Sequence, residues 1–183
     1  CDLDCCADAR RTGKSLHPAC LGVHDRETGA LVLFEATPGV EAQIARLQQL
    51  SGVSNRGRKP VDAVILTHAH IGHYLGLAQF GREVTSTTEL PVHVSPRMAA
   101  YLRSNGPWSQ LVTLKQIALV EFEPGRPFQP IPGLTVTQIP VPHRDEFSDT
   151  LAFVIRGPHA TLCYLPDIDT WERWAVHLEA LLA

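Results

Sequence analysis

Short apolar runs of strand length recur along the chain, each closed by turn residues, and 3.6-residue patterns lie between them. Residues 20–24 (CLGVH) and 30–35 (ALVLFE) flank a Glu-Thr-Gly turn, which predicts a hairpin. Residues 61–67 (VDAVILT) are almost continuously apolar, as expected of a strand covered on both faces. Further strands are predicted over 91–95, 117–122, 134–141, 150–155 and 160–165, and the alternation within 134–139 leaves one face wet. Helices are predicted over 40–50, with Val40, Ile44, Leu47 and Leu50 on one stripe, and over 74–84, 96–104 and 170–182. Asp169 or Thr170 can cap the last of these, with Glu172 in its first turn. This order mixes parallel crossovers with hairpins, as in a layered α/β sandwich. No repeat or linker interrupts it, so a single domain over 1–183 is expected.

Composition narrows the picture. Hydrophobic residues make up 44% of the 183, enough for a real core, and the net charge is -3. Basic residues are scattered, which argues against a nucleic-acid surface. Arg10-Arg11 and the cluster Arg56-Gly57-Arg58-Lys59 are the exceptions, and the second reads as a solvated turn. No apolar run approaches the roughly 20 residues of a membrane helix. Five cysteines do not form a spread disulfide framework, because Cys1, Cys5 and Cys6 crowd one end; clustering suits metal binding better. A cytoplasmic location is the expectation, although the chain opens on Cys1 and its sole methionine is Met98, so a targeting segment would lie outside this stretch.

The chemistry concentrates in THAHIGH, residues 67–73. With 9 His in 183 residues, chance supplies roughly 0.02 triples at this spacing per chain. The histidines follow a buried strand and precede a helix, and α/β sheets place their chemistry at the carboxyl ends of strands. His68 and His70 can turn toward one ion, and His73, three residues on, toward a second position beside it. Neutral imidazole is a preferred zinc ligand. His143 ends an amphipathic strand and Asp167 an apolar one, so each delivers a ligating side chain at a strand terminus. Neither a phosphate-binding glycine loop nor a Gly-x-Ser-x-Gly elbow is present. Metal-activated water is therefore the expected nucleophile. His68, His70, His73, His143 and Asp167 should converge at one edge of the sandwich.

These residues resemble motifs of the metallo-β-lactamase superfamily: ILTHAHIGH over 65–73, a lone His143 after one strand and Asp167 after another. The runs GHYLGL (72–77), NGPWSQL (105–111), VPHRDE (141–146) and LPDID (165–169) are similar to members labelled pyrroloquinoline quinone biosynthesis protein B-like. The resemblance implies an αββα sandwich of two mixed sheets with helices on the outer faces. It implies His68, His70 and His143 around a first metal, with His73 and Asp167 at a second, Asp167 bridging and these last two catalytic. Zinc is the expected cofactor, with iron or manganese as alternatives. The implied activity is hydrolysis by a metal-bound hydroxide of an ester, phosphodiester, lactone or lactam in a small-molecule substrate. The alternatives are an iron-dependent oxidative step in pyrroloquinoline quinone biosynthesis, or a non-catalytic metal- or partner-binding module; a homo-oligomer is compatible with each. Gly72 stands where the superfamily usually has Asp, and after Asp167 the only histidine is His177, in a predicted helix. The second site should therefore be weak. Cys1, Cys5 and Cys6 resemble a structural zinc cluster of such relatives. The family pattern begins before Cys1 and runs beyond Ala183, so a fragment lacking its first and last strands, exposed along one edge, is expected.

Other candidates carry less. His93 reads as a half-buried strand residue, and His17, His24 and His159 sit by turns. Trp108, Trp171 and Trp174 read as packing residues. Arg144, Asp145, Glu146 and Asp149 read equally as surface turn or as partners that orient imidazoles.

Overall fold

Period-two alternation explains how strands covered on both faces stack two cores. In a computed structural model, which describes residues 2–182, β2 (Leu31–Phe34) is buried at every position. Leu31 and Leu33 point into a core shared with the helices, while Val32 and Phe34 point into a core between two sheets. The first sheet has the order β1 (Leu21–His24), β2, β3 (Ala63–Ile65), β4 (Leu90–Val94), β5 (Ile117–Glu121). The hairpin of β1 and β2 is antiparallel and the remaining pairs are parallel. The second sheet is an antiparallel meander of β6 (Phe128–Ile131), β7 (Leu134–Pro140), β8 (Leu151–Arg156) and β9 (Thr161–Tyr164). Leu134, Val136, Phe153 and Ile155 meet Phe34 and Ile65 across the gap. Each such side chain, fully buried, contributes about 1.5–3 kcal/mol. The class is the expected mixed α/β fold of two sheets and helices.

Parallel neighbours need crossovers, and helices supply them. The first helix, α1 (Asp4–Arg11), precedes the sheet, α2 (Val40–Ser51) connects β2 to β3, and the brief α3 (Ile71–Tyr74) follows β3. After β4 come α4 (Pro96–Ser104), capped by Ser95 Oγ accepting from the Met98 amide, and α5 (Trp108–Thr113). Val40 and Ile44 are buried and Leu47 packs beside them, but Leu50, predicted on the same stripe, is 69% exposed.

Two predicted helices are broken. Residues 74–84 form the end of α3 and a 3-10 segment, Leu75–Phe80, after which bonds from Gly81 N to Ala78 O and from Ser86 N to Gly81 O turn the chain back. The tight segment presses on the loop after β2: a Cβ on Gly76 would sit 2.0 Å from the Thr37 carbonyl oxygen. Residues 170–182 form a 3-10 turn, Trp171–Arg173, and α6 (Leu178–Leu182), with no side-chain cap at Thr170. Trp174 takes an extended backbone, and its indole donates to the Pro140 carbonyl. Trp171 is half exposed and packs edge-on against Trp174, ring centroids 5.7 Å apart, and an amphipathic helix with little face to bury is marginal. Strand β6 was not apparent because Pro130 interrupts it; as an edge strand it tolerates the missing donor. The basic loop is not simply solvated either. Arg56 Nη2 meets Asp62 Oδ2 at 2.6 Å, and the same oxygen accepts from the Leu31 amide at 2.8 Å, which ties the loop to the start of β2.

His93 is 7% exposed, and its ring stacks on Phe128 at 5.2 Å between centroids. Burial pushes its pKa from 6.5 down to about 4. The folded state thus binds fewer protons than the unfolded one in this window, and stability falls as the pH drops from 6.5 through 4. The expected loss from this one ring is about 3 kcal/mol by pH 4. Urea titrations of His93→Phe at pH 7 and pH 4 should show that part of the acid sensitivity gone; a variant as acid-sensitive as the parent would contradict it. No helix among the described residues is long and apolar enough to cross a membrane.

Candidate metal centre

Strand directions bring the candidate residues to one edge. Because β2 and β3 are parallel, their carboxyl ends lie together, carrying Glu35 and the loop from Thr67. Both β7 and β9 run antiparallel to β8 and so point the same way, carrying His143 and Asp167 just beyond their ends. Loop-to-loop bonds fix the two sets: the Ala69 amide donates to Ser148 Oγ at 2.8 Å, and the Asp169 amide to the Pro142 carbonyl at 3.0 Å.

The imidazoles then meet at their ring nitrogens. His68 Nε2 lies 2.9 Å from His70 Nδ1, which lies 3.0 Å from His143 Nε2. Asp167 Oδ2 closes the group at 3.6 Å from both His68 Nε2 and His143 Nε2. Ligand atoms of His68, His70, His143 and Asp167 all fall within 4.8 Å of one another. Four donors at zinc bond lengths of about 2.1 Å in a tetrahedron would stand about 3.4 Å apart, so this set needs only small adjustments to hold an ion. His73 stands beside it, its Nε2 3.3 Å from Asp167 Oδ2 and its Nδ1 3.4 Å from Glu35 Oε1.

The outward nitrogens face oxygen atoms. His68 Nδ1 bonds Thr67 Oγ1 at 2.8 Å, His70 Nε2 meets Glu146 Oε2 at 2.9 Å, and His143 Nδ1 lies 3.0 Å from Asp169 Oδ1. The oxygens hydrogen-bonded to His68 and His70 can keep ring protons on the outside and turn lone pairs inward, as is common in metal-ligating histidines, whereas His143 Nδ1 is near Asp169 without a hydrogen bond. Burial, reinforced by the neighbouring histidines, pushes the His68 imidazole down to about 2 and keeps it in the neutral, ligating form. Burial raises the Glu35 carboxyl. For His73, burial works downward, but carboxylates on both sides outweigh it and the pKa rises; the space between Glu35 and Asp167 favours a cation. His70, as hydrogen-bond partner, holds the exposed Glu146 carboxyl below its usual range.

All five predicted ligands are thus neighbours. Glu146 and Asp169 reach the imidazoles, and Arg144 Nε sits 3.6 Å from Asp169 Oδ2. Asp145 and Asp149 turn aside, accepting from Thr150 and Ser95. Trp108 is buried against Tyr74, as a packing residue. Cys1 lies outside the described residues. Cys5 and Cys6 sit side by side on α1, sulfur to sulfur 4.0 Å. Gly72, between His70 and His73, is open: an added Cβ would meet nothing within 4 Å. Glu35 and Thr67 carry no role in the sequence reading, and Asp169 is read there only as a helix cap. Glu35 and Asp169 follow the same rule that identified His143 and Asp167, polar residues where apolar strands end.

Residues 31–182 match the model of the β-lactamase superfamily domain. Zinc-bound PqqB from Methylobacterium extorquens superposes with a TM-score of 0.74 at 21% identity, covering 94% of this chain and 62% of that one. The short form of human tRNase Z superposes with a TM-score of 0.53 at 12% identity, covering 82% of this chain and 62% of its own. The MIM-2 metallo-β-lactamase gives a TM-score of 0.56 at 20% identity, covering 91% and 62%. The chain therefore spans less than two thirds of the length of these solved structures. No curated protein sequence matches it.

Proposed function

The chain belongs to the β-lactamase superfamily, and on that premise we propose that it carries the metal centre of a hydrolase. The supporting observation is the donor set itself: three imidazole nitrogens and a carboxylate oxygen lie within 4.8 Å of one another, neighbours around the ring of four at 2.9–3.6 Å, with an oxygen atom near each imidazole's other nitrogen. His68, His70, His143 and Asp167 would hold zinc, and His73 with Asp167 a second ion. Bound there, zinc supplies Lewis acidity toward a carbonyl or phosphoryl oxygen and acidifies water. Zinc is favoured by the nitrogen-rich donors and by its presence in the PqqB structure. The bond attacked is proposed to be an ester, phosphodiester, lactone or lactam. The names of tRNase Z and the metallo-β-lactamase place two of these bond classes on this fold. The net charge of -3 favours a small-molecule substrate over a polynucleotide.

The protein should purify with about one tightly held transition metal and bind a second weakly, because Gly72 offers no ligand. His70→Ala removes a donor from the centre of the set and should lose the tight metal. Elemental analysis, followed by assay on bis(p-nitrophenyl) phosphate and a panel of lactones and lactams, checks both statements. Two equally tight metals, or none, would contradict the proposal.

A further inference from the structure

We propose that Ile71 and Phe147 form two apolar jaws beside the metal centre, and that the substrate carries an uncharged alkyl or aryl group next to the bond attacked. The placement follows from the bonds that join two loops. Glu146 Oε2 lies 2.9 Å from His70 Nε2, and Ser148 Oγ accepts from the Ala69 amide at 2.8 Å. Phe147 stands between Glu146 and Ser148, and Ile71 follows His70 directly. Both side chains therefore leave the backbone within one residue of the same loop-to-loop contact. Neither turns into the core: Ile71 is 62% and Phe147 58% exposed. Large apolar side chains left singly in water are common. Two on bonded loops, each next to a residue at the donor set, make a rim that a ligand can cover.

Phe147 is also held in place. Its ring lies against Tyr101, centroids 5.4 Å apart and planes at 35°. Tyr101 is fixed in turn by Tyr74, hydroxyl to hydroxyl at 2.7 Å with the rings edge to face, and Tyr74 follows His73 in the chain. The Phe147 ring is thus backed by protein on one side and open on the other, so little side-chain freedom is lost when a substrate covers it. Charge on the rim points away from anions. The exposed carboxylates of Glu146 and Asp169 face imidazoles, at 2.9 and 3.0 Å. The Arg144 guanidinium is already 3.6 Å from Asp169, and Arg97 donates to the Asp145 carbonyl. A phosphodiester would meet two carboxylates and no uncommitted cation among these groups, whereas a neutral ester or lactone meets apolar surface.

This inference rests on the hydrolase proposed above and narrows its substrate to neutral esters and lactones, but apolar binding is readable without turnover, so the two can fail separately. A methylene contributes about fourfold when fully buried and about twofold when covered from one side. For the zinc-loaded full-length protein, kcat/KM should therefore rise roughly tenfold or more from γ-hexalactone to γ-decalactone. The gain should lie in KM with kcat nearly constant, because a contact away from the reacting atoms holds ground state and transition state alike. Ile71→Ser and Phe147→Ser should each flatten the series, and the double variant should bring it below about threefold. Leu50→Ser, which alters an equally exposed leucine near the far end of α2, should leave the series as it was. In metal-stripped protein, octanamide should shift the Ile71 methyl signals in 1H–13C spectra and acetamide should not. A flat series in the parent protein would overturn the proposal, as would a double variant as steep as the parent or an Ile71 signal unmoved by octanamide. Octanamide binding at Ile71 without hydrolysis of any substrate in the panel would sink the hydrolase reading and leave the apolar rim standing. Turnover of bis(p-nitrophenyl) phosphate with no dependence on lactone chain length would do the reverse.

Discussion

Asp167→Ala should weaken zinc binding by at least about 100-fold, since even outer partners of ligating histidines cost 10–100-fold when removed. Turnover should fall with it, by roughly a thousandfold or more at a fixed metal concentration. Asp167 Oδ2 stands 3.6 Å from His68 Nε2 and His143 Nε2 and 3.3 Å from His73 Nε2, so one oxygen addresses every position where a cation is favoured. It is also the carboxylate set among four imidazoles, where it can offset ionic charge. Asp167→Asn keeps an oxygen in place and loses the charge, and it should fall between alanine and the parent protein. Zinc competition with a chromophoric chelator measures the affinity; unchanged affinity in the alanine variant would remove Asp167 from the ligand set. The carboxylate is about a third exposed, so the substitution should not compromise the fold, and a matching urea midpoint checks this.

How far the sequence showed all this varies with the kind of signal. The strand-end rule worked wherever an apolar run stopped on a ligating residue, which is why His143 and Asp167 were legible alone. Glu35 obeys the same rule, but it closes a strand that carries no histidine motif, and only the pairing of β2 with β3 brings it under His73. The helix 96–104 was legible because Ser95, Pro96 and the apolar spacing agree locally, and the structure starts and stops it there. The helix expected over 170–182 had the spacing but no partner to bury its stripe, and Trp174 spends its indole hydrogen bond on Pro140 instead. In 74–84 the periodicity was overridden by contact: Gly76 is driven so close to Thr37 that the chain tightens to a 3-10 path. Local pattern thus singled out the five residues that the fold brings together and most strands, whereas the groups set against their rings depend on long-range pairing that spacing does not encode.

Gly72→Asp should convert the centre from one tight metal to two, strengthening the second site by roughly 100-fold, on the scale expected for adding a charged ligand to an open metal position. Four residues apart, two glycines of the same region behave oppositely. At Gly76 a Cβ would stand 2.0 Å from the Thr37 carbonyl oxygen, whereas a Cβ at Gly72 meets nothing within 4 Å. The backbone at Gly72 lies in α3, outside the left-handed region, so aspartate can adopt it without strain. Replacing glycine there also removes unfolded-state freedom, which offsets the modest helix propensity of aspartate. The existing donors at the second position are His73 Nε2 and the shared Asp167 oxygen, 3.3 Å apart, and a carboxylate from the residue preceding His73 adds the missing negative charge. Calorimetric zinc titration should resolve two events of similar affinity in the variant against one strong and one weak in the parent, with hydrolytic turnover rising at limiting metal. A folded variant that still binds a single tight ion would show that the second position is limited by something other than the absent carboxylate.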